Sequence, residues 1–178
     1  MRVIDVGIDL NISDQPPDHA ATLTTLFREH HLGLVRMAVL IVGDQPTAED
    51  VVQDAFVALH RRLDRLSDRD NTLPYIRAAV LNGCRTVLRR RRRPFRGTEP
   101  EAVWSAESSV VLGEDRREVF LALRTLPHRQ REALVLRYYL DLSEAEIAAT
   151  MGIARGTVKS TTSRALAALA KKLGEDPR

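Results

Sequence analysis

Cysteine, aromatic residues and long apolar runs are scarce in this sequence. Cys84 is the single cysteine among 178 residues, so the chain cannot form an internal disulfide, which fits a reducing cytoplasm. Aromatic residues make up only 4% of the chain, which predicts an aliphatic, helical core. No apolar run approaches the roughly 20 residues that span a bilayer, and no signal peptide is recognisable. We therefore expect a cytoplasmic protein that does not insert into a membrane.

Signatures of catalysis and of cofactor binding are also missing from the sequence. It has no glycine-rich phosphate loop, no cluster of histidine with acids and no metal-ligand spacing. The adjacent His30 and His31 would point to different faces of a helix, so they would not share a metal ion. We therefore expect no enzyme activity, no cofactor and no metal.

Acidic and basic residues are segregated along the chain. Eight arginines and no acid lie between 74 and 97, and five bases and no acid lie between 153 and 173. Five acids and no base lie between them, from 98 to 115. Two basic blocks separated by an acidic stretch indicate two nucleic-acid contacts on two bodies.

Residues 142–169 have the pattern of a helix-turn-helix. Ser143 and Glu146 form a capping box that starts a first helix, and Gly152 supplies the left-handed turn that ends it. A second helix follows, with Val158 on its inner face. An ordinary pair of packed helices would also have a polar outer face, but the absence of carboxylates favours a helix that contacts DNA. The candidate DNA contacts on this helix are Arg155, Thr157, Lys159, Ser160, Ser163 and Arg164.

The first half of the chain has the apolar periodicity of three helices. The spacing predicts helices over 19–42, over 48–62 with Thr47 as its cap, and from 74 to about 92. The second of these carries an acidic stripe that is either a solvated face or a surface for a basic partner. The third ends in five consecutive arginines, whose mutual repulsion favours contact with phosphates.

The predicted fold is all-α, with two small helical domains joined by a flexible acidic linker. The linker is expected where helical periodicity stops and proline, glycine, serine and glutamate dominate. Helices over 115–126 and 128–140 would then lead into the helix-turn-helix. The predicted segments are a tail at 1–18, a first domain at 19–93, the linker at 94–114, a second domain at 115–173 and a tail at 174–178.

Two stretches match motifs of bacterial σ factors in the expected order. Ala48–Phe56 (AEDVVQDAF) resembles their region 2.2. Leu126–Glu132 (LPHRQRE), with Arg137–Tyr139 and the helix-turn-helix, resembles their region 4. Because there is no room for a middle σ domain, the chain resembles the short extracytoplasmic-function (ECF, group IV) class of the sigma-70 family, in its SigE-type subfamily. The resemblance runs from Phe27 to Lys172.

The resemblance implies a σ2 three-helix bundle, a σ4 helix-turn-helix and a role in starting transcription. Such a protein binds core RNA polymerase through the clamp helices of β′ and the flap of β. It recognises the −10 and −35 promoter elements and melts the DNA. Its free form would be a monomer, and an anti-sigma factor would be a further partner.

Site residues follow from the resemblance by position. The implied polymerase contacts are Asp50, Gln53, Asp54 and Phe56. The implied −10 contacts are Asn82, Arg85, Arg89, Arg90, Arg91 and Arg92, and the loop at 66–73 would capture a flipped base. The six candidates on the outer face of the second helix of the helix-turn-helix would contact the −35 element. The main alternative is a free-standing helix-turn-helix regulator, which would need dimerisation or an effector domain.

Overall fold

The computed structural model describes residues 19–63, 72–91, 112 and 116–174, and over these residues it is helical. The all-α prediction is confirmed. The N-terminal tail, Arg92, the C-terminal tail from 175 and nearly all of the acidic linker lie outside the described residues.

The N-terminal half consists of three helices, α1 (His19–Val42), α2 (Gln45–His60) and α3 (Thr72–Arg91), which pack against one another. The predicted start of α2 at residue 48, with Thr47 as its cap, was wrong. Asp44 is the N-cap, and its carboxylate accepts a hydrogen bond of 3.0 Å from the Thr47 amide. Pro46 occupies the first turn, where its missing N–H costs nothing. The helix therefore begins three residues earlier than the pattern of apolar residues indicated.

The C-terminal half begins with α4 (Arg117–Arg124) and α5 (His128–Leu134), and α5 continues as a π-helical segment (Val135–Tyr139). The prediction of one regular helix to residue 140 missed this change. In the wider turn the Leu140 amide donates to the carbonyl of Val135, at 3.2 Å. Asp141 follows with φ of 51°, a left-handed conformation that aspartate tolerates better than most residues. This turn directs the chain into the helix-turn-helix.

The helix-turn-helix consists of α6 (Glu144–Met151) and α7 (Arg155–Lys172), and its predicted signals are confirmed. The Glu146 amide donates to Ser143 Oγ at 3.3 Å, and the Ser143 amide donates to Glu146 Oε2 at 2.8 Å. The hydrogen bonds from Ser143 lower the pKa of the Glu146 carboxyl. Gly152 ends α6 with φ of 68°, where a side chain would be strained. These local interactions fix both ends of this short helix.

One apolar core runs through both halves. Buried residues of α1 and α3, such as Ile41 and Val80, belong to the same cluster as Leu136, Ile147 and Met151 from the C-terminal half. Helix α6 lies along α3, and the π-helical segment contacts α1. The two predicted domains are therefore packed directly together in this structure.

Candidate nucleic-acid interface

Helix α7 presents a polar face that is suited to the DNA major groove. Its inner side is fixed by two fully buried residues, Val158 and Ala165. The six predicted DNA contacts, Arg155, Thr157, Lys159, Ser160, Ser163 and Arg164, are all exposed. An α-helix of this kind fits the major groove, where hydroxyls and guanidinium groups can reach base edges and phosphates.

Two local hydrogen bonds order side chains on this face. Ser160 Oγ donates to the carbonyl of Thr157 at 3.2 Å, and Arg164 Nε donates to the carbonyl of Ser160 at 3.1 Å. Both acceptors are backbone groups of the same helix, so neither bond draws the side chain towards the core. The side chains of Ser160 and Arg164 therefore stay on the outer face of α7, where they can contact an anion.

The arginines at the end of α3 do not lie in equivalent surroundings. Arg89 and Arg90 are exposed and available to phosphates, and Asn82, about two turns earlier, is exposed as well. Arg91 instead turns back into the protein. Its Nη1 donates to the carbonyl of Val42 at 2.8 Å, and its Nη2 donates to Asp44 Oδ2 at 2.6 Å. Arg91 therefore stabilises the turn between α1 and α2. Its position in a run of arginines did not indicate this structural role.

Arg85 is also engaged within the protein. Its guanidinium donates to both carboxylate oxygens of Glu132, with Nη2 to Oε2 at 2.8 Å and Nε to Oε1 at 3.1 Å. Nη1 and Nη2 also donate to the carbonyl of Met151, each at 3.3 Å. A predicted DNA contact on α3 thus binds the C-terminal half in this structure.

The predicted polymerase-binding stripe on α2 is only partly exposed. Asp50, Gln53 and Asp54 face outward, whereas Phe56 is 7% exposed. The Phe56 ring packs edge-on against Phe27 on α1, with centroids 5.0 Å apart. Phe27 is 45% exposed, so it is the aromatic surface beside the acidic stripe.

Phe27 was missed as a candidate contact by the sequence reasoning, and one signal could have indicated it. It lies four residues before His31, the spacing at which two helical side chains meet. Their rings stack with centroids 4.3 Å apart. The exposed ring of Phe27, stacked on the half-buried His31, therefore adds an aromatic surface on α1 beside the acidic stripe of α2.

An apolar groove of about 450 Å³ is lined mainly by the C-terminal half, with Leu40 of α1 in its wall. Phe120, Leu134 and Leu169 form part of its walls, and Tyr138 and Leu166 stand at its edge. Tyr138 is 62% exposed and Leu166 is 40% exposed. Sequence reasoning did not identify this surface because the same residues would also suit an ordinary core.

The described residues show little that suits metal or nucleophilic chemistry. Within these ranges no three side chains among histidine, cysteine, aspartate and glutamate come together as a metal site. Burial, with a smaller effect of the Glu132 charge, raises the pKa of the Cys84 thiol to about 12. None of the helices in the described part of the chain is long and apolar enough to cross a bilayer.

A helix-turn-helix with a basic outer face, packed beside an arginine-ended helix, defines a DNA-binding protein with two helical regions. Comparison with known families places both regions. Residues 26–94 match Sigma-70 region 2, and residues 116–169 match Sigma-70, region 4. The chain belongs to the sigma-70 family of RNA polymerase sigma factors, in its ECF group.

Individual relatives agree with this assignment. The chain is 34% identical over 140 residues to the RNA polymerase sigma-E factor of Streptomyces avermitilis. The aligned region covers 79% of this chain and 78% of that protein. It is also 34% identical over 153 residues to the ECF RNA polymerase sigma factor SigM of Mycobacterium tuberculosis, covering 84% of this chain and 76% of that one.

Two solved structures share the arrangement of the helices. The sigma factor RpoE from Bartonella quintana, in complex with the anti-sigma factor NepR, has a TM-score of 0.69 and 27% identity, covering 86% of this chain and 99% of that one. CnrH in complex with the cytosolic domain of CnrY has a TM-score of 0.66 and 26% identity, and the match covers 89% of this chain and 96% of that chain.

Proposed function

We propose that this protein is a sigma factor that binds core RNA polymerase and directs promoter-specific initiation of transcription. The observation that carries the proposal is the exposed, carboxylate-free outer face of α7 within the part that matches Sigma-70, region 4. In this proposal α7 contacts the −35 element, and α3 with Asn82, Arg89 and Arg90 contacts the −10 element. The role is non-catalytic, and its place is the cytoplasm, where polymerase works on the chromosome.

Polymerase binding is assigned to two surfaces. The first is the acidic stripe of Asp50, Gln53 and Asp54, with the exposed ring of Phe27 beside it. It suits a basic partner surface, and we assign it to the clamp helices of β′. The second is the apolar groove lined by Tyr138 and Leu166, which suits an apolar helix. We assign it to the flap of β. A large enzyme that holds both halves turns two weak DNA contacts into one strong contact through effective concentration.

An anti-sigma factor is a further proposed partner. Support comes from the RpoE structure, in which a sigma factor of similar fold is bound by the anti-sigma factor NepR. The exposed apolar side chains of Phe27, Tyr138 and Leu166 are suitable contacts for such a partner.

The function is tested by transcription of sheared genomic DNA with core polymerase, followed by sequencing of RNA 5′ ends. With this protein added we expect a small set of start sites that share −35 and −10 elements, and none of them with core enzyme alone. Asp54→Arg should remove these transcripts together with co-purification of core enzyme. Glu118→Arg, an equal charge change at an exposed position on α4, should leave both intact.

A different pair of results would support the alternative, a free-standing helix-turn-helix regulator. A free-standing regulator would protect one duplex sequence from nuclease without polymerase, and it would not co-purify with core enzyme. That pair of results would replace the sigma-factor function by the alternative.

A further inference from the structure

We propose that residues 1–18, the segment before α1, dock back along α1 and fill the apolar groove lined by Tyr138 and Leu166. The chain would then carry its own occupant for this groove. The consequence for polymerase, competition between the segment and the flap of β, rests on the proposed function.

A ridge of side chains on α1 leads from the start of this helix to the groove. Residues at four-residue steps form such a ridge on a helix surface. Those that are exposed or partly exposed here are Thr24, Arg28, Leu32, Arg36 and Leu40. Leu32 is 52% exposed, and among the large apolar side chains of the described residues only Tyr138 is more exposed. Since Leu40 also lines the groove, the ridge and the groove form one continuous surface.

This surface is apolar with positive charge beside it. Arg28 and Arg36 lie on the ridge, and Arg116 is the one charged residue in the described lining of the groove. Arg36 and Arg116 both act on Tyr139, another lining residue. Burial raises the pKa of the Tyr139 hydroxyl, and the charges of the two arginines and a hydrogen bond from Arg36 oppose this rise. Such a surface suits an apolar partner that carries carboxylates.

The segment before α1 has the complementary pattern. Every second residue from Ile4 to Ile12 is apolar, and Asp5 and Asp9 are among the residues between them. In an extended chain, alternate side chains point to opposite faces. Residues 1–18 contain four aspartates and one arginine. An extended segment can therefore place its apolar face on the groove and its carboxylates near the arginines.

The segment is long enough to reach the groove. From His19 to Leu40 is about 31 Å along α1, at about 1.5 Å per residue. Eighteen extended residues span about 60 Å, at about 3.3 Å per residue. About half of the segment is therefore sufficient to reach the groove, and the other half, with Ile4, Val6 and Ile8, is left to fill it.

The same path brings opposite charges together. An extended chain that runs back along α1 places Asp14 within about 3 Å of the level of Arg28, and Asp9 within about 8 Å of the level of Arg36. A long arginine side chain can cover such offsets. The ridge itself has no carboxylate that would repel the segment.

A second apolar groove lies nearer to the start of α1, but its charge is unsuitable. It holds about 510 Å³, and Phe27 and Glu49 are among its lining residues. Asp50 and Asp54 are exposed on the same helix as Glu49. The aspartates of the segment would meet like charges there, which is unfavourable. Charge therefore favours the groove at Tyr138.

The docking is tested by the distance between the segment and the groove in the full chain without polymerase. Spin labels are attached to Gly7→Cys in the segment and to Glu118→Cys, an exposed position on α4 next to Val119 of the groove lining. Cys84 stays unlabelled because it is buried. We expect one narrow, short distance.

Substitutions separate the apolar and the charged contributions. Ile4→Ser combined with Ile8→Ser should give a broad, longer distribution. Arg28→Asp should do the same, and adding Asp14→Arg should restore the narrow distance because the exchanged charges attract again. Arg129→Asp, at an exposed arginine of α5 outside the ridge and the groove lining, should leave the distance unchanged. Circular dichroism checks that each variant keeps its helices.

Three results would overturn the docking. The first is a broad distribution in the parent chain, or a narrow one that survives Ile4→Ser with Ile8→Ser. The second is a narrow but long distance, which would place the segment elsewhere, for example at Phe27. The third is a short distance that disappears when labelled chain is mixed with excess unlabelled chain, since a second copy would then fill the groove.

Binding to core polymerase tests the consequence. If the segment occupies the groove in about nine chains of ten, removing this competitor should raise the apparent affinity about tenfold. Ile4→Ser with Ile8→Ser should therefore bind core enzyme about tenfold more tightly than the parent chain. Asn11→Ala with Ser13→Ala, on the polar face of the segment, should not change the affinity.

The two measurements distinguish failure of the docking from failure of the proposed function. If the isoleucine substitutions lengthen the distance and the affinity stays equal, the docking stands and the assignment of the groove to the flap of β fails. If neither chain binds polymerase although the distance lengthens, the docking stands and the proposed function fails.

Discussion

Nη2 of Arg91, at the end of α3, lies 2.6 Å from Oδ2 of Asp44, the residue that caps α2. The same guanidinium also donates to the carbonyl of Val42, the last residue of α1. One arginine thus joins the end of one helix, the start of the next and the end of a third. Arg91 belongs to a run of five arginines, and it differs from exposed Arg89 and Arg90 because Asp44 and the Val42 carbonyl lie within its reach. Arg91 is therefore structural, whereas Arg89 and Arg90 remain available to DNA.

Arg91 and Arg90 should therefore respond differently to substitution. We expect Arg91→Ala to lower the free energy of unfolding by about 1.5–3 kcal/mol, the range for hydrogen bonds to charged groups. Arg90→Ala, at an exposed neighbour, should change stability by no more than about 0.5 kcal/mol. It should instead reduce the salt dependence of DNA binding by about 0.9 in the log–log slope. Urea unfolding and DNA titrations at several salt concentrations measure the two effects, and equal stability losses would contradict the assignment.

Asp44 should make stability depend on acid pH. Burial opposes ionisation of this carboxyl, but hydrogen bonds from Thr47 and Arg91 outweigh it, so its pKa lies below the ordinary 3.8. A lowered pKa means that the stabilisation is fully present above about pH 4 and is lost as the pH falls through the folded-state value. Asp44→Asn keeps one cap acceptor and loses the charge. Its deficit in unfolding free energy should be present at pH 6 and shrink at pH 3, and a deficit that grows in acid would refute this account.

Gly33 and Gly83 form a matched pair in helix interiors. A Cβ at Gly33 would meet no atom within 4 Å, whereas one at Gly83 would lie 2.7 Å from Cγ1 of Val51. We expect Gly33→Ala to stabilise the protein by about 0.5–1 kcal/mol, because alanine has less freedom in the unfolded chain. Gly83→Ala should destabilise it by about 1–3 kcal/mol through overpacking between α2 and α3. Thermal unfolding of the two variants should move in opposite directions.

Cys84 should be inert in the folded protein. Since its pKa is raised from 9.0 to about 12, the thiolate fraction near pH 8 is about a thousandfold lower than for an ordinary thiol. A disulfide reagent should react with it only on unfolding, while a thiol introduced by Lys171→Cys at an exposed position reacts at once. Rapid reaction of both thiols in the native protein would show that α3 opens readily.

Arg155 and Lys159 should contribute to the choice of promoter. Each bidentate base contact is worth about 1–3 kcal/mol, so Arg155→Ala or Lys159→Ala should weaken transcription from promoters that keep the −35 element. On templates with a scrambled −35 element the loss should be small. Lys171→Ala, at the far end of α7, serves as the control for a general loss of positive charge. Equal losses on both templates would indicate phosphate contact alone.

Much of the helical framework was predictable because its signals are local. The capping box of Ser143 and Glu146 and the turn at Gly152 depend on residues a few positions apart, and both occur as expected. The start of α2 was misplaced because Thr47 and Asp44 are both good caps, and Pro46 between them decides which can be used. The outer face of α7 was also predictable, since helical periodicity alone separates Val158 from the exposed bases.

The sequence by itself determined that this is an all-helical protein with a basic helix-turn-helix, because caps, periodicity and charge segregation are written within single segments. Only the tertiary structure decided which arginines remain available to DNA. Arg85 and Arg91 have partners 47 positions away, at Glu132 and Asp44, and no local pattern specifies such pairs. The contact between the two halves was likewise decided only in the folded chain. The apolar face of a helix indicates that this face must be buried, but it does not identify the element that covers it.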